Sequence, residues 1–266
     1  MAVRSFRARA SDTADAHAVP SEERRRTLTI DIGGTGIKLL RLNGMGQPLS
    51  ERARELTPQP AMPRAVIATI RKMLASQGEY DRVSVGFPGV VVHGVVHTAP
   101  NLGTTHWVNF DLQQAIQNET GKPARAMNDV DLQGYGVIRG SGVELVFTFG
   151  TGLGSALYSD GHLVPNLEIA HHPFKNNSTY EDRVSNRELK RIGKKKWNRR
   201  VREIIEQLEP IINYDALHVG GGNARKLTGD LPPKVRVFDS VEGLSGGIRL
   251  WSDEAQKLAL QKSALR

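Results

Sequence analysis

Cysteine is absent from the 266-residue chain, which excludes disulfides, thiolate catalysis and cysteine-ligated zinc. No apolar run approaches the roughly 18 residues that cross a bilayer, and the N-terminus carries no hydrophobic signal core. The expectation is a cytoplasmic protein with no membrane partner. Aromatic residues make up only 6% of the chain. They are too thinly interleaved with the basic residues to suggest nucleic acid binding. Acidic residues are scarce in one place: from Arg183 to Arg202, ten lysines and arginines accompany a single carboxylate, Glu188. A local field of that strength prefers a polyanion.

What is present suits a globular α/β protein. With 39% hydrophobic residues, the chain can bury the core of one large domain or two lobes. Residues 1–26 are polar and without sustained periodicity, and are expected to form a disordered extension. LTIDI and IKLLRL then read as two strands of a hairpin around GGTG. Val66, Ile67, Ile70, Met73 and Leu74 share one helical face between Arg64 and Gln77. Further on come RVSVGF, strand material around the glycine of VVVHGVVH, a helix over Asp111 to Asn118, and the short strand ARAMNDV.

A helix near Asp131 opens the second half, followed by the strand LVFTFGTG and its return GSALYSDG. Trp197, Val201, Ile204, Ile205 and Leu208 mark an amphipathic helix as far as Pro210, where the ring should disturb it. ALHVGGG reads as a strand entering a glycine loop, and a last helix spans broadly Gly246 to Leu265. The expected organisation is an N-terminal lobe over 27–129, a larger lobe over 130–245, and residues 246–266 packing back on the first lobe.

Two hairpins are interrupted by glycine in nearly the same way: Asp31-Ile-Gly33-Gly34-Thr35-Gly36-Ile-Lys38, and Thr148-Phe-Gly150-Thr151-Gly152-Leu-Gly154. Glycine lets a backbone approach a ligand so that N–H groups converge on phosphate oxygens. Thr35 and Thr151 add hydroxyls, Lys38 a positive charge, and Asp31 a carboxylate able to hold magnesium directly or through water. Taken singly, either motif also reads as a plain tight turn. Neither is a Walker loop, and GTGLG is not the GxGxxG of a dinucleotide fold. Asp129, where a strand runs out into a turn, is placed to accept the proton of an attacking hydroxyl. The alternative is that Asn128 or Asp129 caps the next helix.

With DIGGTGIK, NDVD, FGTGLGSA, NLEIAHH and VGGGNARK in that order, the chain resembles the ROK sugar kinases of the actin-like superfamily. LTPQPAMP and FPGVVVHGVVHTAPNL bring it closest to the polyphosphate glucokinase subgroup. The resemblance implies a two-lobed α/β fold built on a ribonuclease H-like repeat, with the active site in the cleft between lobes. It implies magnesium-dependent phosphorylation of the 6-hydroxyl of glucose, or of mannose, by inorganic polyphosphate, ATP or both, in a homodimer. Asp129 would be the catalytic base, and Asn101, Asn128, Glu168 and His171 would hold sugar hydroxyls. Gly220, Gly221, Gly222 and Asn223 would lie near the nucleotide or the distal phosphates.

The zinc motif common among these kinases is missing here, as it is from the polyphosphate subgroup, so no zinc site is expected. Ala170 replaces the glycine of the usual ExGH pattern, and a methyl beside a sugar pocket would bear on selectivity. Lys190, Lys194, Lys195, Lys196, Arg199 and Arg200 are expected to line a polyphosphate groove. A strictly ATP-dependent glucokinase or glucomannokinase is the nearest alternative. A sugar-responsive regulator would need a winged-helix module, for which the 26 residues before the first strand are too short. His93 and His172 are expected to be structural.

Overall fold

The computed structural model describes residues 24–252, beginning at Arg24, whereas the expected extension over 1–23 and most of the expected C-terminal helix lie outside the described residues. Arg26, the last residue of the stretch expected to be disordered, is tied down by Asp81: its N–H donates to Oδ2 at 2.7 Å and its guanidinium pairs with Oδ1 at 3.2 Å.

Three antiparallel strands, β1 (Thr27–Ile32), β2 (Gly36–Leu42) and β3 (Ala53–Leu56), open the chain. After α1 (Pro63–Leu74), β4 (Arg82–Phe87) joins β1 in parallel. VVVHGVVH folds as a ribbon of β5 (Val91–Val92) and β6 (Val95–Val96), turned by His93 and Gly94 at φ 52° and 82°. Then α2 (Thr104–Trp107) and α3 (Leu112–Thr120) lead to β7 (Ala124–Asn128), parallel to β4. Asp111 caps α3 by accepting from the Gln114 N–H, and Gly121 ends it in the left-handed region.

The second half repeats the plan after α4 (Asp129–Val137). Strands β8 (Val143–Phe149), β9 (Leu153–Ser159) and β10 (His162–Val164) are antiparallel. A small ribbon of β11 (Pro173–Phe174) and β12 (Ser178–Thr179) precedes α5 (Tyr180–Val184) and α6 (Asn186–Ile212). Strands β13 (Ala216–Gly220) and β14 (Val235–Val237) then extend the sheet in parallel, and α7 (Ser240–Ser245) runs into a 3-10 segment, Gly246–Trp251. The sheet orders β3-β2-β1-β4-β7 and β10-β9-β8-β13-β14 are one topology used twice. Among the described residues no helix is long and apolar enough to cross a membrane.

Alternation explains how β1 serves two purposes. Leu28, Ile30 and Ile32 join the first core with Val66, Ile70 and Met73 of α1, as side chains two apart share a face. Thr29 and Asp31 point the other way, Thr29 against Gly247 and Asp31 into a cleft. In the second sheet Leu145, Phe147 and Phe149 pack on Trp197, Val201, Ile204, Ile205 and Leu208 of α6.

Helix α6 departs from expectation at two points. Gly193, at φ 78° and ψ 162°, breaks it into two segments, and its C-terminal segment runs past Pro210 to Ile212, where Asn213 ends it at φ 51°. Pro210 removes one N–H from the last turn without ending the helix.

Helix α4 is the common element: it packs on β4 and β7, on β8 and β9, and against α7 and the 3-10 segment. That segment replaces the start of the expected final helix, and close packing shapes it. A Cβ on Gly246 would lie 2.0 Å from the Leu132 carbonyl oxygen, and one on Gly247 2.1 Å from Thr29 Oγ1. Trp251 donates from Nε1 to Ser84 Oγ at 2.9 Å while the Arg125 guanidinium covers its ring. Gly246→Ala is therefore expected to lower stability by about 1–3 kcal/mol through overpacking against backbone that cannot yield. The readout is a lower urea midpoint at unchanged m; an unshifted midpoint would contradict this packing.

Candidate active site

Between the two sheets lies a cleft of about 900 Å³. Its first wall is a row of charges set by strand register. Asp31 of β1 stands opposite Lys38 of β2, and Lys38 opposite Arg54 of β3; on its other side Asp31 faces Gly86 of β4. Residues directly opposite share a face, so the row points into the cleft. Lys38 Nζ donates to Asp31 Oδ2 at 2.5 Å. Gly86 keeps the row open at its inner end, where an added Cβ would lie 3.0 Å from Asp129 Cα.

The two glycine hairpins meet across this cleft. Thr35 Oγ1 and Thr151 Oγ1 are 2.9 Å apart, although 116 residues separate them in sequence. None of Gly33, Gly34 or Gly36 is left-handed, so unusual dihedrals are not the reason for glycine here. Close approach is the constraint: a Cβ on Gly33 would sit 2.9 Å from Gly36 O, and one on Gly34 3.1 Å from Thr151 Oγ1.

The Gly33, Gly150 and Leu153 N–H groups are consumed within the turns, the last by Glu181 Oε2 at 3.1 Å. Among the described residues, the N–H groups of Gly34, Thr35, Thr151 and Gly152, in the two turns that line the cleft, have no hydrogen-bond partner. Glu181 was not legible as a site residue, yet it holds the second turn in place from α5.

Asp129 is the first residue of α4, at the cleft floor. Burial pushes its carboxyl up to about 7, and the charge of Asp31 adds to the rise; Lys38 and the Val130 N–H pull it back, and Glu168 raises it further. The capping alternative applies to its neighbour. Asn128 Oδ1 accepts from the Val130 and Asp131 N–H groups at 2.8 and 3.1 Å, and its Nδ2 donates to Gly89 O at 3.2 Å. That leaves Asn128 one amide hydrogen for any ligand.

Asn101, Glu168 and His171 line the same cleft. Ser155 fixes the loop that carries the latter two, donating to Leu167 O at 2.9 Å and accepting from the Ile169 N–H at 3.0 Å. Burial raises the Glu168 carboxyl, with His171 opposing and Glu181 adding to the rise. Ala170 is 1% exposed, belongs to the second core and is not among the residues lining the cleft. His172 stacks on Tyr180 at 5.2 Å, a structural role.

Two expected groups lie wholly or partly outside the cleft lining. Gly220 does not line the cleft; it ends β13 under the Phe238 ring, where a Cβ would lie 2.1 Å from a ring carbon. Gly221, Gly222 and Asn223 do line it, and the Asn223 side chain donates to Gly150 O at 3.2 Å. Lys190, Lys194, Lys195, Lys196, Arg199 and Arg200 are all absent from the cleft lining. They ride on α6, which turns its apolar side to the core. Arg200 and Arg191 both pair with Glu188, Arg191 from Nε and Nη2 at 2.6 and 2.7 Å. The Arg191 pairing, with Arg200 adding, holds the Glu188 carboxyl at about 2 despite its burial. The bases that do reach the cleft are Lys38, Arg52, Arg54 and Arg225.

Residues 27–170 match the ROK family. The polyphosphate glucokinase of Mycobacterium tuberculosis is 36% identical over 212 residues, which cover 76% of this chain and 79% of that protein. Among solved structures, the inorganic polyphosphate/ATP-glucomannokinase of Arthrobacter sp. strain KM is similar with a TM-score of 0.76 at 29% identity, over 85% of this chain and 98% of that one. A ROK family glucokinase from Streptomyces griseus, solved with glucose and AMPPNP, shares the fold with a TM-score of 0.72 at 18% identity, over 84% and 98% of the two chains.

Proposed function

Because the chain belongs to the ROK family and has its two-lobed, actin-like fold, we propose that it is a kinase that transfers a phosphoryl group from inorganic polyphosphate or ATP to the 6-hydroxyl of glucose. The observation that carries this reading is the position of Asp129, a carboxylate that ionises near neutrality, between two facing phosphate turns and the Glu168–His171 loop. Residues 27–129 and 130–245 are taken as the two lobes.

In this reading Glu168, His171 and Asn101 hold the sugar hydroxyls, with the free amide hydrogen of Asn128 beside them. The sugar is thereby oriented so that one hydroxyl reaches Asp129. Asp129 accepts its proton as the oxygen attacks the terminal phosphorus, a role suited to a group ionising near the working pH. The open N–H groups of the two turns and the Thr35 and Thr151 hydroxyls receive the phosphate oxygens. Lys38, which donates to Asp31 Oδ2, offsets developing charge.

Magnesium fits this site in one respect: Asp31 offers a hard carboxylate oxygen in the cleft, able to hold the ion directly or through water while Asp129 stays free as the base. Among the described residues no three potential ligands cluster, so water and donor phosphates would complete the shell, as magnesium prefers. Bound there, the ion would neutralise the bridging phosphate oxygens. A homodimer is part of the proposal and is read by solution mass.

The test is glucose 6-phosphate formation with magnesium, comparing nucleotide-free long-chain polyphosphate with ATP, and glucose with mannose. Product from polyphosphate and glucose is expected. Product from ATP alone would retain the base and sugar site and remove polyphosphate as donor; no product from either would overturn the reading.

A further inference from the structure

We propose that the open edge of the first sheet is a donor track, on which Arg54 and Arg52 grip the phosphates behind the transferred one and so determine the use of polyphosphate relative to ATP. The inference rests on the kinase reading above and names residues that neither the glycine motifs nor the basic run on α6 had indicated.

Strand register gives the track its direction. Asp129 abuts Gly86, and from there the row steps across the sheet through Asp31 and Lys38 to Arg54. Neighbouring strands are about 4.8 Å apart, so Arg54 stands on the order of 10 Å from Asp31 along a line leading away from the reacting centre. Among the described residues the sheet has no strand beyond β3, and none of them in the sheet stops a linear chain from continuing into solvent.

Both side chains are exposed, both line the cleft, and among the described residues neither has a hydrogen-bond or ion-pair partner. The Arg54 guanidinium lies over the first turn: its Nε and Nη2 are 3.1 and 3.2 Å from where a Cβ on Gly36 would be. A planar fork with no carboxylate to satisfy it suits phosphate oxygens, which it can engage two at a time.

Donor selectivity follows from the length of the ligand. A nucleotide has three phosphates and must then turn towards a site for its nucleoside. A polyphosphate keeps its charge per length and gains a contact at each cation it passes, as polyelectrolytes do. The arginines at the far end of the row therefore act on the longer donor more than on the shorter. The α6 bases are the rival location, but they lie outside the cleft, and Arg191 and Arg200 are committed to Glu188.

The test compares the parent with Arg52→Gln/Arg54→Gln, Arg52→Lys/Arg54→Lys and the triple change Lys194→Gln/Lys195→Gln/Lys196→Gln. Each is assayed with ATP and with nucleotide-free polyphosphate of short and long defined lengths, and titrated with the long chain at several salt concentrations. The double glutamine variant should raise KM for long polyphosphate about tenfold relative to KM for ATP, with a smaller effect for short chains. It should also lower the slope of log affinity against log salt by about one per arginine removed. The lysine pair should recover part of the loss.

Equal loss with both donors would overturn the track, as would selective loss confined to the α6 triple variant. A parent that uses polyphosphate while the double glutamine variant matches it would overturn the track and leave the kinase reading standing. A parent that uses ATP but neither binds nor consumes polyphosphate would overturn both the polyphosphate donor and the track.

Discussion

Asp129→Asn is expected to fold and bind sugar while turnover falls by about 100-fold or more, the usual contribution of a positioned general base. Asparagine preserves the local structure, because its Oδ1 can still accept the Val130 N–H that Asp129 holds at 2.9 Å. What it loses is the ability to take a proton. In the parent, kcat/KM should rise with pH and level off near the Asp129 value of about 7; in the variant that limb should disappear. Retention of more than a tenth of the parent turnover would remove Asp129 from the role of base.

Stability should move the opposite way. Burial and Asp31 hold the native carboxyl at about 7, against 3.8 for the free group. Between those values the native state keeps a proton that the unfolded chain has released. The native state is therefore favoured most at low pH and loses that advantage as pH rises through about 7, where the charge must be carried inside the cleft. Asparagine carries no charge, so at pH 8 the variant should be more stable by on the order of 1–3 kcal/mol. Higher melting with lost turnover would identify a strained functional group; equal losses of both would indicate simple damage to the fold.

Trp197→Ala should be the most destabilising single change considered, at about 3–5 kcal/mol. The indole is fully buried, donates from Nε1 to Val184 O at 2.8 Å, and meets Phe149 edge-on at 5.4 Å. Removing it opens a cavity, leaves the Val184 carbonyl without that partner, and frees the C-terminal segment of α6 from β8. Phe149 immediately precedes Gly150, so the second phosphate turn should loosen as well, raising KM for donor at temperatures where the variant remains folded. Equilibrium urea unfolding measures the first effect, and a loss under 1 kcal/mol would refute the packing described here. Trp197 also accounts for the basic run: apolar residues at its spacing bury one face of α6, so Lys190, Lys194, Lys195, Lys196 and Arg199 face solvent.

The elements legible in the sequence were those whose cause lies within a few residues. Period-two and period-3.6 apolar patterns marked β1, β4, α1 and the core face of α6, because alternation and helical repeat depend only on local backbone geometry. The two glycine hairpins and Asp129 at a strand end were visible for a similar reason: chain reversal and close backbone approach leave small or acidic residues at set spacings. The order of these motifs carried the family resemblance.

Other features were written nowhere locally. Arg52 and Arg54 sit in SERAREL, which matches no motif; they reach the cleft because β3 pairs with β2 in a register that puts Arg54 opposite Lys38. Gly193 looks like any other residue of a basic helix until φ 78° shows the break. Gly220 looks like part of a glycine loop until Phe238 is found packed upon it. The meeting of Thr35 with Thr151 joins segments 116 residues apart, and the rise of Asp129 towards neutrality requires burial beside Asp31, from the other end of the first sheet's sequence. Residue spacing along a chain encodes local conformation, whereas burial, charge proximity and strand register are sums over distant partners, and for this protein those sums decide which residues line the cleft and which only face water.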